Sequence, residues 1–189
     1  MSKRVITFLG LPGAGKSTQI NLLGQTIEAT AIHINKIDQI LFLEIANLRT
    51  DFKERVRVSS ATQLDQEFLE TAQRQETAWI VLDGFPRNVV QAERMLSHAR
   101  QHQWYLDNIY LNFPGISAAA FSISRQQKRA QEESRTETAE DRMAKLKRAF
   151  LKDLEAINFL KNSKTSFHQV DCTMPPLEVA KEILSIISR

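Results

Sequence analysis

Gly10-Leu11-Pro12-Gly13-Ala14-Gly15-Lys16-Ser17 follows directly on the apolar run Val5-Ile6-Thr7-Phe8-Leu9. The stretch satisfies G-x-x-x-x-G-K-[ST] and lies between a short strand pattern and a helical one, the context that gives this motif meaning. Glycines let successive backbone N–H groups turn inward around an anion without side-chain clashes. The helix that follows aims its first-turn donors and positive dipole end at the same point. Gly13, Ala14, Gly15, Lys16, Ser17 and Thr18 are therefore the candidate polyphosphate cradle. Lys16 can reach the β- and γ-phosphates of a nucleotide, and the Ser17 hydroxyl can contact Mg²⁺. A chance glycine turn is the bland alternative, and the flanking strand and helix argue against it.

Outward from this turn, apolar runs and helical patches alternate. Val5–Leu9 reads as a buried strand, and Ile20, Leu23 and Ile27 recur at helical spacing. Residues 31–34 read as a second strand, with helical material through Ala46; residues 47–60 are polar and mixed. A helix is expected over 61–75 and a buried strand at Trp79-Ile80-Val81-Leu82. Val89, Ala92, Leu96 and Ala99 mark one face of the next helix, and 109–113 a further strand. Met143, Leu146, Phe150, Leu154 and Ile157 stripe a long helix, 167–170 reads as a last strand, and Leu177, Ala180, Ile183, Leu184 and Ile187 stripe a terminal helix. Strands alternating with helices predict a parallel sheet covered on both faces.

Bulk composition narrows the class. The 189 residues fit a single compact domain, 42% of them hydrophobic and 25% charged. A net charge of +3 is mild, so attraction for anions must come from local clustering. A lone Cys172 excludes an intrachain disulfide and a four-cysteine zinc site, and reads as a small packed residue. The N-terminal apolar run is short and ends in glycines and Lys16, unlike a secretory signal. No stretch has the length to cross a bilayer. These features predict a cytoplasmic protein with no membrane or nucleic-acid partner; acidic residues interleave with the basic ones over 125–148, and aromatics for base stacking are lacking there.

A second motif, Asp83-Gly84-Phe85-Pro86-Arg87, closes the strand at Trp79–Leu82. A carboxylate at that strand end can hold Mg²⁺ through its waters, which pairs Asp83 with Ser17 as the metal candidates. Arg87 offers a forked cation for a second phosphate, and Gln91, one helical turn on, an amide that can read a base edge. Asn35-Lys36-Ile37-Asp38 spells the N-K-x-D pattern of GTPases, but it comes too soon after Lys16 and no D-x-x-G accompanies it. It reads as a chance match.

Gly10–Thr18 with Gln19, then Leu82–Arg87 and Gln91-Ala92-Glu93, resemble the adenylate kinase family of nucleoside monophosphate kinases, with a short lid and a divergent acceptor site. The resemblance implies a three-layer α/β P-loop NTPase domain over 1–189, with a five-stranded parallel sheet and helices on both faces. An acceptor cap would occupy 35–75 and a short lid 129–142. It implies ATP as donor, Mg²⁺ as cofactor, nucleotides as small-molecule partners, and AMP as the first acceptor. Gly84, Phe85, Pro86 and Arg87 would bind the acceptor phosphate, with Gln91 on the base and Asp38 beside it. Arg125 and Arg129, spaced to share a helix face, would pack on the donor base and contact the transferring phosphates; Lys16, Arg87, Arg125 and Arg129 form the catalytic set. A monomer is expected.

The chain departs from the family pattern at several places. Leu41 stands where the family has an acceptor-site arginine, with Lys36 and Arg49 as candidate substitutes. Ser17 and Cys172 each replace a glycine, and Lys145 or Arg142 stands at the lid-end arginine position. Two further readings follow. One is a P-loop kinase of another small metabolite; the other is a nucleotide-binding regulator with weak catalysis.

Overall fold

The computed structural model of the chain describes residues 2–37, 40–47, 50–58, 61–114, 118–132 and 139–189. Its strands are β1 (Arg4–Leu9), β2 (Ala29–Ile37), β3 (Ile40–Asn47), β4 (Thr50–Val58), β5 (Trp79–Asp83), β6 (Tyr105–Asn112) and β7 (Ser166–Asp171). The helices are α1 (Lys16–Gly24), α2 (Ala61–Arg74), α3 (Val89–His102), α4 (Ala118–Glu132), α5 (Ala139–Lys161) and α6 (Pro176–Ile187).

The strands form one sheet in the order β4-β3-β2-β5-β1-β6-β7. Pairing is parallel from β2 through β5, β1 and β6 to β7. Strands β3 and β4 are added antiparallel on the β2 edge. The five parallel strands expected are therefore present, and β3 and β4 extend them to a mixed sheet of seven among the described residues. The helical reading through Ala46 is overturned. Ile32, Ile34, Ile37, Ile40, Phe42 and Ile45 are β-branched or aromatic, types that suit a pleated surface. Asn35–Ile37 of the GTPase-like motif lie in this ribbon, paired with 40–42 of β3, and Asp38 lies outside the described residues.

Alternation along the central strands divides the core. Val5 and Leu9 of β1, with Ile80 and Leu82 of β5, face α2, α3 and α5 through Phe68, Leu69, Met95, Leu96, Ile157 and Leu160. Ile6, Phe8 and Val81 point the other way, to Ile20 and Leu23 of α1 and Val179, Ile183 and Ile187 of α6. This period of two on strands buried from both sides is what a sheet covered by helices requires. The α6 stripe differs by one detail: Leu177 is 63% exposed and Val179 is buried in its place. Thr7 on β1 donates to the Asn108 amide oxygen on β6 (2.9 Å), whose Nδ2 donates to the Ser166 carbonyl on β7 (2.9 Å). This chain of buried polar groups pins the register of three strands.

Topology then sets the site. From β1 the chain passes through α1 to β2, while α3 carries it from β5 across β1 to β6. Connections that leave neighbouring strands in opposite directions open a crevice at the strands' carboxyl ends. The turn at Gly10–Gly15 and the turn at Asp83–Arg87 both sit there.

Candidate functional site

The cradle takes its shape from backbone that only glycine adopts freely. Gly10 has φ +140°, and a Cβ there would meet the Leu111 carbonyl oxygen at 2.7 Å. Gly15 has φ +95° and caps α1 in a left-handed conformation, so the loop turns straight into the helix. The first intrahelical bond runs from Gln19 N–H to the Gly15 carbonyl (2.9 Å). Amides preceding it are helix-start donors that a bound anion can use. Ser17 and Thr18 are exposed in this first turn.

Lys16 folds back over the loop, its Nζ donating to the carbonyls of Gly10 (2.6 Å) and Leu11 (3.1 Å). Desolvation lowers its pKa; the Asp153 and Asp83 carboxylates oppose that shift and Arg87 adds to it. Asp153 answers in kind: burial raises its pKa, while Lys16 and Arg87 pull it down. Lys16, Asp83, Arg87 and Asp153 thus share one electrostatic neighbourhood. It joins the β1 turn, the β5 turn and α5.

Gly84 adopts φ +75° and bends the chain so that Arg87 packs over it; a Cβ on Gly84 would stand 2.6 Å from Arg87 Nη2. Arg87 Nε donates to the Gly84 carbonyl (2.7 Å), while the side chain stays exposed. Phe85 is fully buried against Phe68 of α2 and Pro86 is buried beside it, so this turn is anchored in the core. Gln91 is tied to the same turn. Its Oε1 accepts from Arg87 N–H (2.7 Å) and its Nε2 donates to Asp65 of α2 (2.8 Å). The amide expected to read a base therefore already braces the Arg87 turn, with one lone pair and one N–H to spare.

Helix α4 lies across the other side of the cradle. The Ser122 hydroxyl, fully buried, donates to the Pro12 carbonyl, and Arg125 Nη1 comes within 3.5 Å of the Gly13 carbonyl. The Arg125 guanidinium stacks over Phe121 at 4.6 Å, a cation–π contact that holds it in place. Gly13, Ala14, Gly15, Thr18, Gln19, Arg125, Cys172, Met174, Pro176 and Val179 line a cavity of about 240 Å³. Cys172 closes its floor, buried, with both its thiol and its N–H donating to the Asn112 carbonyl (3.0 and 2.9 Å). Burial pushes this thiol up to about 11, against the pull of Arg125.

The structure thus brings Gly13–Thr18, Asp83–Arg87, Gln91 and Arg125 to one end of the sheet. Arg129 follows Arg125 one turn along α4, but its side chain, Asp38, Arg49 and the side chains of Lys36, Leu41, Arg142 and Lys145 lie outside the described residues. Sequence reasoning passed over Asp65, Asp153 and Ser122. Asp153 could have been found, since it precedes Ile157 of the core stripe by four residues and so shares its face. Asp65 and Ser122 carry no comparable signal, because nothing in their local pattern shows what they meet.

No family model matches the chain. An adenylate kinase from Geobacter sulfurreducens is 33% identical over 102 residues, covering 48% of this chain and 43% of that protein. An adenylate kinase from Prochlorococcus marinus is 34% identical over 99 residues, covering 49% of this chain and 52% of that one. The chain thus spans about half the length of the curated relatives it matches. Among solved structures, a deoxyadenosine kinase from M. mycoides with bound dATP superposes with a TM-score of 0.51, covering 97% of this chain and 99% of that one at 15% identity. The fold is that of a P-loop α/β domain. Over the matched stretches the chain is similar to these two adenylate kinases.

Proposed function

We propose that the protein transfers the γ-phosphoryl group of ATP to a nucleoside monophosphate, with AMP as first acceptor and two ADP as products. The observation that carries this reading is the shared neighbourhood of Lys16 and Arg87. Two anion-binding groups from separate turns face one crevice, the arrangement needed to bring a donor and an acceptor phosphate into line. Lys16 swings from its loop carbonyls to the β- and γ-oxygens when the cradle fills. Arg87 holds the acceptor phosphate, and Gly84–Pro86 set its approach. Arg125, with Arg129 behind it on α4, supplies positive charge over the oxygens where transition-state charge collects. The donor base occupies the cavity beside Arg125 and residues 172–179.

Oxygen donors at Ser17 and Asp83 suit a hard cation, and these two residues would hold Mg²⁺, directly and through water respectively. Such an ion would supply positive charge against the donor phosphates. Closure of the 129–142 segment over the crevice would keep water from the transferring group. Among the described residues no helix is long and apolar enough to cross a membrane.

One observation favours a second acceptor class. The Gln91 amide is committed to Asp65 and to the Arg87 turn, which leaves less of it for a purine edge. An acceptor without a purine fits this better. The deciding experiment measures ADP release with AMP, CMP, UMP, GMP, dTMP, deoxyadenosine and no acceptor. AMP-dependent release, lost in Lys16→Ala with the fold intact, is expected. Release only with deoxyadenosine or another non-phosphorylated acceptor would move the assignment, and no release with any would end it.

A further inference from the structure

We infer that Gln19 is a specificity-determining residue for the donor base, its side-chain carbonyl accepting a hydrogen bond from an exocyclic amino group. Gln19 lies on α1 just behind the cradle and is only 3% exposed, in the seam between α1 and α6. Its Nε2 donates to the Pro176 carbonyl at the start of α6 (3.0 Å). That bond fixes the amide's orientation, since a reversed amide would set two oxygens face to face. Its Oε1 then has no hydrogen-bond partner among the described residues. A buried carbonyl without a donor is unusual in a folded protein and asks for an explanation.

The explanation offered by its surroundings is a ligand. Gln19 lines the same cavity as Gly13, Gly15, Arg125, Cys172 and Met174, at the open side of the polyphosphate cradle. A nucleotide whose phosphates sit at Lys16 would place its base there, under Arg125. Met174, Pro176 and Val179 give the cavity an apolar lining, which suits a flat ring but reads nothing on its edge. Gln19 Oε1 is the acceptor that does. It matches the 6-amino group of adenine and opposes the 6-oxo group of guanine or hypoxanthine, where two acceptors would meet. A base that leaves this carbonyl dry and unpaired is disfavoured more strongly than one that merely adds or lacks apolar contact.

The inference rests on the assignment of this cavity to the donor, and its test is independent of turnover. Equilibrium affinities are measured by calorimetry for the β,γ-imido analogue of ATP and for the same compound lacking the 6-amino group. The full protein should bind the amino compound tighter by about ten- to a hundredfold. Gln19→Met, similar in volume, should bring that ratio close to one. Equal affinities in the unaltered protein would overturn the inference even if the variant fails to fold, since a water would then satisfy the carbonyl. An unchanged ratio in a folded Gln19→Met would overturn it too, because a packing role weakens both compounds alike. Should neither compound bind, the donor assignment falls along with the inference. If both bind with the expected ratio but no acceptor yields ADP, the inference stands and the kinase reading alone is lost.

Discussion

An incoming polyphosphate meets Asp153 as well as cations. This carboxylate shares its surroundings with Lys16 and Arg87, yet burial raises its pKa despite both. A group in that condition is held at a net desolvation cost, and its charge repels phosphate. Asp153→Asn should therefore tighten binding of the imido analogue of ATP by about three- to tenfold, the scale of one partly screened charge. Because the folded pKa is raised above the usual carboxylate value, protonation sets in earlier as pH falls. Affinity of the unaltered protein should then rise as pH falls toward the carboxylate range, and Asp153→Asn should lack that part of the rise. Weaker binding in the variant, with an unchanged pH profile, would show that Asp153 instead positions Lys16.

Between elements, the contact that governs the acceptor side is the seam of α2 and α3. Asp65, 3% exposed, accepts from Gln91 Nε2 (2.8 Å) and from Arg94 Nη1 (2.5 Å), and Gln91 in turn holds the Arg87 backbone. Asp65→Asn keeps the shape but sets an amide N–H against Arg94. Since Arg94 is 37% exposed, water softens the loss, and about 1–3 kcal/mol of stability should go. The sharper readout is kinetic: KM for the acceptor should rise while KM for ATP holds, because only the Arg87 turn is loosened. An equal rise in both would place the effect in global stability. Local pattern made the elements of the parallel core legible, since the apolar runs at Val5–Leu9 and Trp79–Leu82 and the Ala92–Leu96–Ala99 face all read correctly. It failed over 35–58, where turn residues are few and apolar positions fit either period, so only pairing between strands decides the outcome. At the site, glycine turns and a lysine declare themselves through backbone need. Asp65, Asp153 and Ser122 do not, because their partners lie on other elements.

For the molecule as a whole, acid stability turns on the far end of α3. His98 and His102 sit one turn apart with ring centroids 4.3 Å apart, and Trp104 stands edge-on to His98 at 4.7 Å. Burial lowers the His98 pKa; His102 lowers it further, and Glu70 on α2 opposes. The unfolded chain, with its ordinary value near 6.5, therefore takes up a proton that the folded chain refuses. The stability this residue contributes is complete above that value and drains away as pH drops below it toward the folded pKa. Glu70 alone favours the charged form, and His98 Nε2 is buried without a hydrogen-bond partner among the described residues. Urea midpoints at pH 7.5, 6.5 and 5.5 should fall in that order for the unaltered protein and fall less for His98→Gln. A variant with the same slope would place the acid sensitivity elsewhere. Because α3 also carries Gln91, at its opposite end, partial unfolding of this helix by acid would reach the Arg87 turn before it reached the cradle on β1. Acceptor binding should accordingly fail at a higher pH than donor binding, which paired titrations across the same range would resolve.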